Sequence, residues 1–417
     1  MAIPSYSVED RFIRYAKIDT TADPESITFP SSLKQLDLAR LLEKELKEMG
    51  LQEVELDQHG YVYARIPSNS GNTDVATICF CSHIDTAPDC SGTNVQPLVH
   101  RNYNGEPIVL PADTGQVITI ENHPYLAEKI GDDLITASGL TLLGADDKAG
   151  VAIIMNLAEY LMNHPEIPHG PVEILFTPDE EIGRGVDKLN LDKIKANFGY
   201  TLDGGRLGEV EDETFSADAV NITIQGISAH PGYAKGKMVN AMKVAAHFMD
   251  TLPKDSLTPE STEHREGFVH PVSMEGNLES AKITFIVRDH ETQKLHEYEQ
   301  FLEEALKKSI EFFPGSTYTF KVSEQYRNMK EVLREVPFVT DYAVQAMVNA
   351  GIEPRRSIIR GGTDGSRLSF MAFPCPNLFT GEMAIHSKQE YVSIQDMQKA
   401  VDTLVELVQI WEQHRMD

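Results

Sequence analysis

The sequence is short of cysteine, of tryptophan, of basic residues and of long apolar runs, and each shortage removes a class of protein. Its 417 residues include 4 cysteines and 1 tryptophan. Cys79 and Cys81 alternate in the strand-like run VATICFC, Cys90 falls in a loop and Cys375 stands between prolines. That is not a disulfide framework, and it points to a reducing, cytoplasmic setting. The first twenty residues, MAIPSYSVEDRFIRYAKIDT, contain no apolar segment, so no secretory signal is expected. No stretch reaches the roughly 18 uninterrupted apolar residues of a spanning helix. Lys and Arg number 37 against 64 Asp and Glu, a net charge of -27. Such a chain repels phosphate backbones and anionic lipid, so neither nucleic acid nor a membrane surface is expected as a partner.

What is present is a globular composition, 41% hydrophobic and 24% charged, in a chain long enough for two domains. The amphipathic pattern over 33–49 predicts a helix closed by Gly50. Strands are expected at 51–57 and 61–66. VATICFC (75–81) and VEILFT (172–177) are too apolar for half-exposed strands and predict central strands buried on both faces. The Pro-, Gly-, Asn- and Asp-rich stretch 88–132 predicts a long excursion with short strand pieces. A helix is expected at 146–162 and a short strand at 198–202. Strands alternating with helices imply an α/β sheet. Near 213 the pattern changes to strand, helix, strand, strand, helix, strand through 324. That βαββαβ order is the split arrangement of ferredoxin-like domains. A helix near 335–350, a loop carrying RGGTDGS and a last helix over 394–414 follow. The expected organisation is a split mixed-sheet α/β catalytic domain (1–213 and 327–417) with an α+β ferredoxin-like domain (214–326) inserted.

Residues able to carry chemistry stand at strand ends, where open α/β sheets place their ligands. His83 and Asp85, two apart, suit a metal ligand and its orienting carboxylate, or a plain hydrogen-bonded strand-end histidine. GADDKAG places Asp146 and Asp147 ahead of a helix; one aspartate suffices for a cap, leaving the other for ligation. In PDEEIG, the adjacent Glu180 and Glu181 repel unless a cation or proton relieves them, though a solvated acidic turn would read the same way. TLDGG contributes Asp203, and FTGEMAIHSKQEY contributes His386. Together His83, Asp146, Glu181, Asp203 and His386 form nearly the inventory for two cations sharing one bridging carboxylate. Arg360, beside two glycines in RGGTDGS, suits either recognition of a carboxylate or a structural salt bridge. Arg288, ending ITFIVRD, is a second candidate for that contact.

On the segments RFIRYAKIDT, SHIDTAPD, LLGADDKAG, FTPDEEIGRG, TLDGG, GISAHPGYAKGKMVNA, IIRGGTDGSRLS and PNLFTGEMAIHSKQEY, the sequence resembles the M20 family of co-catalytic zinc peptidases over essentially its whole length. The first, seventh and last of these are most similar to its tripeptide aminopeptidases. The resemblance implies two Zn²⁺ per chain, one held by His83 and Asp203, the other by Glu181 and His386, with Asp146 bridging. It implies Asp85 as the residue orienting His83, and Glu180 as the general base acting on a metal-bridging water. His230, in SAHPG, would reach an active site from the inserted lid domain, within one chain or across a homodimer, to stabilise the oxyanion. The implied activity is release of the N-terminal residue from tripeptides. Dipeptide hydrolysis, carboxypeptidase action and removal of an N-acyl group stay open on the same fold and metals, and a metal-binding scaffold without turnover is disfavoured by the presence of Glu180.

Overall fold

The computed structural model describes residues 7–72 and 74–415. These form two compact units, one of residues up to 212 with 329–358 and 363 onward, the other of 213–328 with 359–362.

The first unit is built on an eight-stranded mixed sheet. Its order is Gln52–Leu56, Val62–Ile66, Val172–Thr177, Ile78–His83, Phe198–Gly204, Asn377–Phe379, Glu209–Glu211, Arg355–Ser357. The four central strands, from Val172–Thr177 to Asn377–Phe379, run parallel. Every residue of Ile78–His83 and of Val172–Thr177 is buried, as their unbroken apolar sequences require. The first of these begins three residues later than the sequence suggested and includes His83, so the imidazole is set by the ladder rather than by a loop.

Cys79, Cys81 and Cys375 lie with Tyr61, Tyr63 and Leu175 in one core cluster. All four cysteines are free thiols. Helices Ala145–Asn163 and Ile394–Gln413 pack on each other, and the first of them also packs on the central strands. Trp411, on the second, donates its Nε1 proton to the Tyr200 hydroxyl at 2.9 Å and stacks on Phe198. Gly150 lies where Ala145–Asn163 crosses the sheet. A Cβ there would stand 2.0 Å from the Leu202 carbonyl oxygen and 2.4 Å from Ser82 Oγ, so only glycine admits this approach.

Two helices depart from the sequence reading. Val8–Ala16, which the sequence marks only as part of a motif, is a helix. It is amphipathic and capped by Ser7, which accepts from the Asp10 amide at 3.1 Å. RGGTDGS is not all loop, because helix Asp364–Met371 opens inside it. The Thr363 amide, just before that helix, donates to Ser366 Oγ at 3.1 Å. The two glycines of the motif hid this start.

The second unit runs Ser216–Gln225, helix Ala241–Thr251, Phe268–Gly276, Ser280–Asp289, helix Thr292–Phe312, Thr317–Tyr326. Its four strands pair antiparallel with Ser216–Gln225 and Ser280–Asp289 central, the ferredoxin-like order. Val220, Ile222, Ile224, Phe285 and Val287 face Phe248, Leu302 and Leu306 of the two helices in one core. Each such fully buried side chain contributes roughly 1.5–3 kcal/mol. No described helix of either unit is long and apolar enough to cross a membrane.

Candidate active site

The parallel strands of the first unit end side by side, and the residues just beyond them converge. His83, last in its strand, is buried. Its Nε2 lies 2.9 Å from Asp146 Oδ1 and 3.6 Å from Asp203 Oδ1. The other oxygen of Asp146, Oδ2, lies 3.1 Å from His386 Nε2, which is itself 3.0 Å from Glu181 Oε2. Asp146 thus presents one oxygen to each of two imidazoles, with a further carboxylate beside each. This brings His83, Asp146, Glu181, Asp203 and His386 into one site with two poles.

The local backbone explains how Asp146 reaches it. Helix Ala145–Asn163 is not helical at Asp146 or Asp147. Regular helix begins after Asp147, whose Oδ1 accepts from the Gly150 amide at 3.1 Å as a cap does. Its Oδ2 accepts from the His83 amide at 3.1 Å and from the Ser82 hydroxyl. One aspartate therefore caps and ties the helix to the strand, and the other is turned into the site. Glu390, fully buried, holds the turn from beneath. Its carboxylate accepts from the amides of Leu143 (2.7 Å), Gly144 (2.8 Å) and Asp146 (3.0 Å).

The Glu180–Glu181 turn is anchored twice. Asp85 Oδ1 accepts from the Glu180 amide at 3.0 Å and Oδ2 from the Glu181 amide at 3.1 Å. Asp85 also lies against His83, with 3.3 Å between Oδ1 and Nδ1. On the other side Asp179, in a left-handed conformation and buried, accepts from the Ser31 amide at 2.7 Å, Gln35 Nε2 at 2.7 Å and Arg184 Nη2 at 3.2 Å.

The electrostatics show what this arrangement lacks. Asp85, Asp146, Glu180, Glu181 and Asp203 are five carboxylates beside two imidazoles. Burial drives Glu180 well above the ordinary carboxylate range, reinforced by Asp203, Asp364 and Glu181. Burial and Asp146 push Glu181 up to about 8. Hydrogen bonding to Asp146 and Glu181 raises His386 to about 11. Burial opposes charge on His83, but Asp146, Asp203 and Asp85 outweigh it and hold its pKa well up. Protons are being retained to offset negative charge. Glu181 Oε1 is buried with no hydrogen-bond partner among the described residues. Imidazole and carboxylate donors in this proportion fit two divalent cations, whose four positive charges would replace those protons.

Three residues at the site went unread in the sequence. Glu390 and Asp179 act through the backbone amides of distant segments, and no local spacing signals that. Glu382 is buried, with Oε2 unpartnered among the described residues, and its carboxylate converges with those of Asp146 and Asp203. It stands four residues before His386 in a segment singled out for the histidine alone.

The remaining candidates belong to the second unit. His230 is exposed, and its Nδ1 accepts from the Gly232 amide at 3.2 Å. Arg360, expected within 327–417 of the catalytic domain, packs instead with the second unit. Its guanidinium donates to the carbonyls of His264 (2.9 Å) and Glu266 (2.8 Å) and to Thr262 Oγ1 (3.1 Å), above the rings of Phe215 and Phe268. Arg288 donates to the carbonyls of Asp218 and Val287 and to Gln325 Oε1. Among the described residues Arg360 forms no carboxylate salt bridge, the alternative that the acidic composition suggested for it.

Comparison with known proteins agrees with this geometry. Residues 142–410 match the model of peptidase family M20/M25/M40. The chain belongs to that family. It is a peptidase-family hydrolase, and its two-pole cluster is a candidate metal-binding site. It is 45% identical to a protein named peptidase T from Geobacillus thermodenitrificans over 404 residues, 97% of this chain and 98% of that one. It is likewise 45% identical to a peptidase T from Listeria monocytogenes, again over 97% and 98%. Among solved structures, aminopeptidase PepT from Bacillus cereus superposes with a TM-score of 0.74 at 23% identity, covering 97% of this chain and 98% of that one. A dinuclear metal-binding M20 peptidase from Bacillus subtilis gives 0.64 at 13% identity, with 97% of each chain covered. At these identities the structures speak for the shared M20 fold.

Proposed function

We propose that this M20 chain is a cytoplasmic zinc aminopeptidase that removes the N-terminal residue from tripeptides. The observation that carries the reading is Asp146, one oxygen 2.9 Å from His83 and the other 3.1 Å from His386. In this reading His83 and Asp203 would hold one zinc, Glu181 and His386 the other, and Asp146 would be shared between them. When bound, the two ions polarise the scissile carbonyl and lower the pKa of water at the site. Glu180 is the general base. It takes a proton from the attacking water and passes it to the leaving amine, a task suited to a carboxylate whose burial raises its affinity for protons. Asp85 keeps His83 and the Glu180 turn in register. His230 accepts at Nδ1, so its ring proton sits on Nε2, where it can donate to the oxyanion. The second unit serves as a lid that brings this donor to the metals. Arg360, with Arg288 as the alternative, receives the peptide carboxylate. The full-length similarity to proteins named peptidase T supports the substrate choice.

The test is a substrate panel on zinc-loaded enzyme. Free-amine tripeptides should be cut at the first bond, with dipeptides and N-acetylated peptides cut poorly. Chelation should abolish turnover and Zn²⁺ should restore it. Preference for dipeptides or N-acyl substrates would move the chain to another M20 reaction.

A further inference from the structure

A second group of metal-ligating side chains lies in the second unit, independent of the site above. Asp218 on Ser216–Gln225 meets His296 and Glu299 on helix Thr292–Phe312, and each offers a ligand atom within 4.8 Å of the others. His296 and Glu299 are three apart, on one face of the helix, with Nδ1 3.1 Å from Glu299 Oε2. Asp218 is buried. We propose that these three residues bind a divalent cation of the zinc, cobalt or manganese type, which would clamp the helix to the central strand.

Three observations support this site. It is not an acidic patch alone, since it pairs an imidazole with carboxylates from two elements, a donor set suited to borderline cations. Glu299 Oε1 is buried and has no hydrogen-bond donor among the described residues. The neighbouring cation does not meet that need. Arg327 lies 2.8 Å from Asp218 Oδ1 and 3.4 Å from its Oδ2 and is shared with Glu324 at 2.8 Å, so its guanidinium is engaged by those two carboxylates. Two carboxyl groups facing each other require a proton or a cation between them. His296 is half-exposed, which leaves an entry path and room for water to complete the coordination.

The experiment removes the first site and asks whether one cation remains. His83→Ala/His386→Ala enzyme is dialysed against Zn²⁺, its metal content is measured and its melting temperature followed. The expected result is one zinc per chain and a zinc-dependent rise in Tm. Adding His296→Ala should weaken that binding at least roughly tenfold, because even partners outside the ligand set cost 10–100-fold at metal sites. Glu299→Gln should do the same, while His296→Ala leaves the metal-free Tm within a few degrees because that imidazole is half-exposed. No zinc in the parent, or zinc retained when His296 and Glu299 are both replaced, would overturn the assignment. Wild-type enzyme carrying His296→Ala/Glu299→Gln should hold one zinc fewer per chain and cut tripeptides at an unchanged kcat.

Discussion

Asp85 accepts the Glu180 amide at 3.0 Å through the same Oδ1 that lies 3.3 Å from His83 Nδ1. In the proposed mechanism the carboxylate that orients His83 is therefore also the anchor of the Glu180–Glu181 turn. Asp85→Ala should damage both functions. Metal affinity should fall about 10–100-fold, and kcat should stay low even at saturating zinc. Full recovery of kcat by added zinc would show that the anchoring contact does not matter.

Glu180 and Glu181 are adjacent but have different tasks in the proposed mechanism. Glu180→Gln should keep bound metal and fold while losing about 10²–10⁴-fold in kcat. Glu181→Gln should instead reduce metal content, since Oε2 of Glu181 stands 3.0 Å from His386. Metal analysis beside single-turnover kinetics separates the two. Normal turnover by metal-replete Glu180→Gln would reassign the base.

Arg360 is held by carbonyl groups, so a substrate carboxylate must compete with or share those donors. Charge-assisted hydrogen bonds are worth about 1.5–3 kcal/mol. Arg360→Ala should therefore lower tripeptide kcat/KM roughly ten- to a hundredfold, and lower that of tripeptide amides much less. Equal losses on acid and amide would mean the residue only braces segment 262–266, and Arg288 becomes the next variant to make.

Arg11 is 1% exposed, with Nη1 2.7 Å from Glu45 and Nη2 2.6 Å from Glu159. It ties helix Val8–Ala16 to helices Gln35–Glu48 and Ala145–Asn163. Arg11→Ala takes the guanidinium from two buried carboxylates, of which Glu45 keeps Arg14 and the Tyr15 hydroxyl, and should cost about 1–3 kcal/mol. Urea unfolding would read this as a lowered midpoint at constant slope. A shift below about 1 kcal/mol would show that the carboxylates find protons or water instead.

Burial opposes charge on Asp19, but hydrogen bonds from Lys34, Thr93 and Thr21 outweigh it and lower its pKa to about 2. A depressed carboxylate stabilises the fold above its unfolded value, near 3.9, and loses that contribution as pH falls through about 2. Lys34 is exposed, so screening leaves roughly 1 kcal/mol. Asp19→Asn should be less stable than wild type at pH 6 and should converge with it near pH 2. A gap that persists in acid would mean Asp19 acts through shape rather than charge.

Much of this was readable in the sequence because the chemistry demands particular residue types at particular structural places. Two-sided burial requires apolar runs such as VEILFT, and a two-cation centre requires imidazoles and carboxylates at the ends of those strands. His83, Asp146, Glu181, Asp203 and His386 are singled out that way, and the structure brings them together; the βαββαβ order of the second unit follows from periodicity. Other features were decided only by tertiary structure. That Asp147 caps while Asp146 enters the site depends on an approach between helix and strand that only Gly150 permits. The grip of Glu390 on the Asp146 amide spans 244 residues and leaves no local pattern. From its glycines Arg360 reads as a carboxylate contact or a salt-bridge partner, and only the tertiary structure sets its guanidinium on the carbonyls of His264 and Glu266. Asp218 meets His296 and Glu299 only because the strand and the helix cross there. Propensity and periodicity act over a few residues, whereas these contacts are set by how distant segments pack. That is why the ligand types could be named from the sequence, while their second partners had to be seen.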